Sequence, residues 1–115
     1  MLDIDGVLLK GRQIVGNSPQ VIRALLEPYS DKRVNIPMML MTNGGGIPEI
    51  EKAEDINQRL GLSNDNPEVL KLQEEHMILC HTPLRDPLIL ERYHDKMVIV
   101  TGKYEELGVA LHYGY

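Results

Sequence analysis

Apolar and polar positions along this chain alternate between two periods. Val21, Ile22, Leu25 and Leu26 recur at helical spacing behind Asn17-Ser18-Pro19, a capping side chain followed by proline at the first helical position. The helix they predict ends near Pro28, and a polar loop from Tyr29 to Arg33 follows. Val34 to Met41 is an apolar run suited to a strand buried on both faces, with Pro37 an awkward interior residue. Pro48 opens a second helix that places Ile50, Ala53, Ile56 and Leu60 on one face and stops at Gly61. Asn66-Pro67 starts a shorter helix. Met77 to Cys80 reads as a strand, Pro83 to Tyr93 as a helix, Met97 to Thr101 as a further strand, and Tyr104 to His112 as a last helix before Gly114.

Strand and helix thus alternate four times, the first strand ending at Asp3, and this order predicts a parallel α/β sheet. Ligands of such sheets sit at the carboxyl ends of the strands. Two ends are unusual: Asp3-Ile4-Asp5-Gly6 and Met41-Thr42-Asn43-Gly44-Gly45-Gly46. Both face the same edge of the predicted sheet.

An isolated carboxylate inside an apolar run is costly, so the acids at 3 and 5 call for a neutralising partner, and a divalent cation is the obvious candidate. Alternation along a strand projects Asp3 and Asp5 to one side while Ile4 packs on the other, and Gly6 permits a sharp turn just beyond. Together they suit Mg²⁺, which takes one or two carboxylates, several waters and a substrate phosphate. One carboxylate can attack phosphorus as a nucleophile, and the other can act as acid and then base. The second strand end supplies a phosphate cradle: the Thr42 hydroxyl, the Asn43 amide, and backbone N–H groups from Gly44 onward. The helix opening near Pro48 adds a positive dipole end, worth roughly 0.3–1 kcal/mol to an anion.

Composition narrows the classes. At 115 residues, with 43% hydrophobic and 25% charged content, the chain fits one globular domain. A net charge of −5 without a basic cluster, and no Trp or Phe, excludes nucleic acid and an anionic membrane as main partners. No apolar run approaches the roughly 20 residues of a membrane span. Cys80 is alone, so no internal disulfide forms; the thiol is expected to face the core as a small apolar residue. His76, Cys80, His81 and His94 match no common zinc spacing. Met38 to Met41 read as core packing. Arg85 and Lys103 read equally as surface charges or substrate contacts. Asp3-Ile4-Asp5-Gly6 is not a calcium-binding EF-hand, because glycine comes too early and no glutamate closes the loop. Gly44-Gly45-Gly46 is not a P-loop, since no Gly-Lys-Ser/Thr follows. A phospho-receiver domain would need an aspartate where the third strand ends in Cys80-His81.

Asp3-Ile4-Asp5-Gly6-Val7 followed by a strand ending Met41-Thr42-Asn43 resembles the first two motifs of the haloacid dehalogenase (HAD) hydrolase superfamily. Gly44-Gly45-Gly46, Pro48-Glu49, Lys52-Ala53, Ile56-Asn57, Leu60-Gly61-Leu62 and His81-Thr82-Pro83-Leu84-Arg85 resemble its subfamily IIA, in the cat-eye-syndrome-region-like branch. The resemblance implies a Rossmann-like parallel sheet of HAD type and a Mg²⁺-dependent phosphohydrolase that cleaves a small phosphate ester through an aspartyl-phosphate. It makes Asp3 the nucleophile and a Mg²⁺ ligand. Asp5 becomes the general acid and base, with its backbone carbonyl a second metal ligand, and Thr42, Asn43 and Gly44 the phosphate-binding residues. Lys10 to Val15 become a segment that gates the site. It implies an intracellular, mitochondrial or cytoplasmic setting, with a link to glycerophospholipid metabolism.

The family's later motifs, a charge-balancing lysine and an acidic pair, have no match here. Lys52, Lys71, Lys96 and Lys103 stand in other contexts, and Glu105-Glu106 falls in the last predicted helix. Only Met1 and Leu2 precede Asp3, short of the five or six residues usual for a strand. The expectation is therefore that residues 1–115 form an incomplete HAD-like domain, the front half of the core running towards the cap region. Alone it is expected to be inactive or nearly so. The alternative is a catalytically inactive HAD-like fragment that acts, if at all, as a binding module.

Overall fold

In the computed structural model, residues 1–27, 36–62, 70–102 and 105–115 are described. Three short parallel strands form the central sheet in the order β1-β4-β5: β1 (Leu2–Asp3), β4 (Leu40–Thr42) and β5 (Met77–Leu79). Leu2 faces Leu40 and Asp3 faces Met41; Leu40, Met41 and Thr42 face Met77, Ile78 and Leu79. A two-stranded hairpin, β2 (Leu9–Lys10) and β3 (Gln13–Ile14), lies between β1 and α1 (Ser18–Leu26) in the chain. α2 (Glu49–Arg59), α3 (Pro87–Tyr93) and α4 (Glu106–Tyr113) complete the helices of the described residues. This is a small parallel α/β architecture, in agreement with the alternation along the sequence and with part of a Rossmann-like core of HAD type.

The alternation of the strands builds the core. Ile4, Leu40 and Met77 are buried together with Ile22 of α1 and Ala53 and Ile56 of α2, and Leu79 is buried as well. Met39 and Met41 on the opposite face stay 40% and 37% exposed, so β4 is buried on one face and not on both. α1 begins where Pro19 predicts, although Asn17 makes no side-chain cap and Val21 is exposed. α2 is rotated from the expected stripe: Ile50 is exposed, while Glu49, Ala53, Ile56, Asn57 and Leu60 turn inward. Gly61, at φ 64°, ends α2, and Gly114, at φ 93°, ends α4.

Three expected elements change. Of the predicted strand from Val34 to Met41, residues 34–35 lie outside the described residues, residues 36–39 form no strand because Pro37 has no N–H for a ladder, and the strand observed is Leu40–Thr42. The predicted helix from Pro83 to Tyr93 is a 3-10 turn, Thr82–Arg85, followed by α3, because Asp86 caps a new start by accepting the Leu88 N–H at 2.8 Å. Met97 to Thr101 form no strand. They pair with no described strand, and Met97 and Ile99 are 95% and 84% exposed. The helix expected at Asn66-Pro67 lies outside the described residues, as does Tyr104, the expected start of the last helix.

Candidate active site

The register of β1 against β4 brings the two unusual strand ends side by side. Ile4 is buried, with its N–H on the Met41 carbonyl at 3.1 Å, which turns Asp3 and Asp5 outward, both exposed. Beyond Asp5 the chain folds back tightly. The Leu8 and Leu9 N–H groups both donate to the Ile4 carbonyl at 3.0 Å, and Gly6, at φ 82°, makes the reversal that a side chain would strain.

Asp3 Oδ1 accepts the N–H of Ile4 at 2.8 Å. Thr42, whose side chain is buried, donates its hydroxyl to Asp5 Oδ2 at 2.6 Å and accepts the Gly44 N–H at 3.0 Å. Asp5, Thr42 and Gly44 therefore meet in one place, with Asp3 two residues before Asp5 at the end of β1. Asn43 lies between Thr42 and Gly44 with its side chain exposed. A Cβ on Gly44 would sit 3.3 Å from Thr42 Oγ1 and 4.0 Å from Asp5 Oδ2, so glycine there keeps the space beside the carboxylate open. The segment Lys10 to Val15 is the β2–β3 hairpin; Gly11 at its tip, φ 60°, also accepts a bond from Arg59 at 3.3 Å.

Among the described residues, no lysine or arginine pairs with Asp3 or Asp5: Lys52 serves Asp55, Lys96 serves Asp95, and Arg59 serves Asp55. Likewise no three His, Cys, Asp or Glu side chains converge among them.

A second constellation escaped the sequence reading. Glu49, the first residue of α2, is fully buried. Its Oε1 accepts the Thr82 hydroxyl and the Tyr113 hydroxyl, each at 2.6 Å, and Arg85 stands 3.6 Å from Oε2. Burial pushes this carboxyl up, but the two hydroxyls, its own backbone N–H and the Arg85 guanidinium outweigh that, and it rests below its ordinary value. Burial, reinforced by the hydrogen bond and charge of Glu49, pushes the Tyr113 phenol well above its ordinary range. Arg85 also pairs with Glu74 at 2.7 Å and lies over the Tyr113 ring, so its described contacts are internal. Lys103 lies outside the described residues. The signal in the sequence was the spacing Glu49, Ala53, Ile56, Leu60, which puts an acid on the inward face of α2. That ionised carboxylate also occupies the positive end of α2, the dipole expected to favour a phosphate.

Cys80 corrects an expectation as well. It is exposed, because the strand ends at Leu79 and the inward face of β5 is taken by Met77 and Leu79. A cavity of about 760 Å³ opens beside Gly45, Gly46, Cys80 and His81; neither aspartate lines it. No helix among the described residues is long and apolar enough to cross a membrane.

Comparison with known families agrees with this architecture. The profile of the haloacid dehalogenase-like hydrolases matches residues 1–115, and the chain belongs to that family. It is similar to a mitochondrial hydrolase of Saccharomyces cerevisiae, 31% identical over 113 residues, which are 98% of this chain and 27% of that protein. It is also similar to a fusion protein of Schizosaccharomyces pombe named for cardiolipin synthase (CMP-forming) and a mitochondrial hydrolase. There the identity is 31% over 99 residues, covering 86% of this chain and 14% of the relative. The chain spans about a quarter or less of the length of these curated relatives.

Proposed function

We propose that residues 1–115 carry the nucleophile half of a Mg²⁺-dependent phosphohydrolase site, within an incomplete core of HAD type. The observation that carries this reading is the meeting of the outward Asp5 carboxylate with the Thr42 hydroxyl and the glycine-bordered space at Gly44, two residues after the outward Asp3. Each aspartate has one oxygen engaged and a second that no described residue bonds or pairs. Oxygen donors of this kind fit a hard divalent cation, held by the Asp3 carboxylate and the Asp5 backbone carbonyl, with waters and a phosphate filling its other positions. Bound there, Mg²⁺ would neutralise charge on the phosphoryl group.

The roles of the residues follow from their free atoms. Asp3 attacks phosphorus through Oδ2, the O–P bond forming as the ester P–O bond breaks. Asp5 gives its proton to the departing oxygen, then takes one from the water that attacks the aspartyl-phosphate, returning Asp3 and releasing phosphate. Thr42 holds Asp5 in orientation and, with Asn43 and Gly44, binds the phosphoryl oxygens. The β2–β3 hairpin gates the site. The substrate is a small phosphate ester. The relatives' names favour a mitochondrial setting, and the fission-yeast fusion with a cardiolipin synthase favours glycerophospholipid metabolism.

Turnover by this chain alone is expected to be slight. Phosphate monoester hydrolysis needs accelerations up to about 10²¹, much of it from cationic stabilisation of the transferring group. Among the described residues no lysine or arginine pairs with either aspartate. The same observation favours the second reading, a module that binds metal and phosphate without turning over. Hydrolysis of p-nitrophenyl phosphate with Mg²⁺ or with EDTA, beside Asp3→Asn and an amide-resolved phosphate titration, tests both. A Mg²⁺-dependent response at Asp3, Asp5 and Gly44, with turnover near that of Asp3→Asn, is the expected result. No response in a folded sample rejects the site. Turnover far above the control shows that the half-site suffices.

A further inference from the structure

Glu49, ionised, can only accept hydrogen bonds, so the Tyr113 O–H must be the donor to its Oε1 at 2.6 Å. The lone pairs of Tyr113 are then left for His81, whose Nδ1 lies 2.7 Å away and must carry a proton. This order of donors fixes the His81 ring, and its Nε2 is buried without a hydrogen-bond partner among the described residues. The ring edge and the neighbouring thiol lie against Gly45. A Cβ there would stand 3.1 Å from His81 Cδ2 and 2.8 Å from Cys80 Sγ, so only glycine fits without a shift. Gly45 is followed four residues later by Glu49 and preceded by Gly44, which Thr42 holds. The glycine loop is thus anchored at one end by Thr42, at the other by Glu49, and backed in its middle by His81.

We propose that Tyr113 and His81 are positioning residues for the Gly44–Gly46 loop, so that the last turn of α4 holds the phosphate-binding backbone in register with Asp5. The inference rests on the phosphohydrolase reading above. His81 acts by contact with Gly45; Tyr113 acts through His81. Neither hydrogen-bonds to the aspartates.

The test uses the 115-residue chain and two readouts by NMR: hydrogen exchange of the Gly44 amide, with Ala53 in α2 as reference, and titration with inorganic phosphate in Mg²⁺. Tyr113→Phe keeps the ring and removes the hydroxyl. It is expected to speed Gly44 exchange and weaken phosphate binding by about tenfold each, as the loss of one hydrogen bond implies, with Ala53 unchanged. His81→Leu behaves alike, whereas His81→Asn, which can still present an N–H to Tyr113, stays near wild type. Should Tyr113→Phe fail to fold, Gly45→Ala decides. It removes no hydrogen-bonding group, but its Cβ would push the loop away from His81 and Cys80, and it is expected to expose Gly44 in the same way. Unchanged Gly44 exchange and phosphate binding in these variants overturn the positioning role. A folded wild type that ignores phosphate overturns the phosphohydrolase reading, and this inference with it; that failure is read without any variant.

Discussion

Thr42 and Asp5 meet across the ends of two adjacent parallel strands, the hydroxyl donating to Oδ2 at 2.6 Å. The pairing of Asp3 with Met41 sets the register, and a slip of one residue would turn Thr42 to the other face. One buried hydroxyl therefore orients a carboxylate and, through the Gly44 N–H, the first turn of the glycine loop.

Thr42→Val keeps the shape of the side chain and removes both bonds. A destabilisation of about 1–2 kcal/mol is expected, at the modest end because Asp5 is exposed and can turn to water. Phosphate affinity is expected to fall roughly tenfold, for the loss of one bond and of the orientation it gives. Thr42→Ser retains both properties. Urea unfolding and a phosphate titration of the three proteins check this; equal affinities for all three would remove Thr42 from the site.

Asn57 shows a different dependence. Its buried amide donates to the Leu72 carbonyl at 2.8 Å and its oxygen accepts the Leu72 N–H at 2.9 Å, pinning the approach to β5 onto α2. Asn57→Ala leaves both backbone groups unsatisfied in a buried place, at a cost of about 2–4 kcal/mol. Asn57→Asp keeps the acceptor and loses the donor. Chemical denaturation ranks the three, and an Ala variant as stable as wild type would contradict the pairing.

Stability is expected to fall at both ends of the pH scale through one pair of groups. The Glu49 carboxyl titrates lower in the folded state than its ordinary value of 4.5. Its contribution is therefore complete above that value and lost as pH falls through the folded one. The Tyr113 phenol is raised from 10.0, so its contribution is complete below that value and lost as pH rises through the folded one. Glu49→Gln should flatten the acid limb and Tyr113→Phe the alkaline limb of a thermal-stability profile. Profiles parallel to wild type in both variants would show that neither group is linked to folding.

The class of fold was legible because its signals are local and repeated: Pro19 and Pro48 at helix starts, Gly61 and Gly114 at helix ends, alternation at Asp3-Ile4-Asp5. The meeting of Asp5 with Thr42 was legible too, since parallel strands send their carboxyl ends to one edge. Two kinds of feature were not. Strand limits depend on partners, so the apolar run Met97 to Thr101 reads as a strand yet pairs with no described strand. Long-range polar contacts leave no periodicity. Nothing near Glu49 announces that Tyr113, 64 residues away, supplies its proton donor.

Phosphoryl acceptance by Asp3, in a Mg²⁺ site completed by Thr42 and Gly44, can be measured without turnover. Beryllium trifluoride bound to a carboxylate mimics an aspartyl-phosphate, and fluorine NMR reports it directly. With Mg²⁺, the wild-type chain is expected to show bound fluoride resonances that vanish in Asp3→Asn and on adding EDTA. Their absence from a folded wild type, or their persistence in Asp3→Asn, would contradict the account.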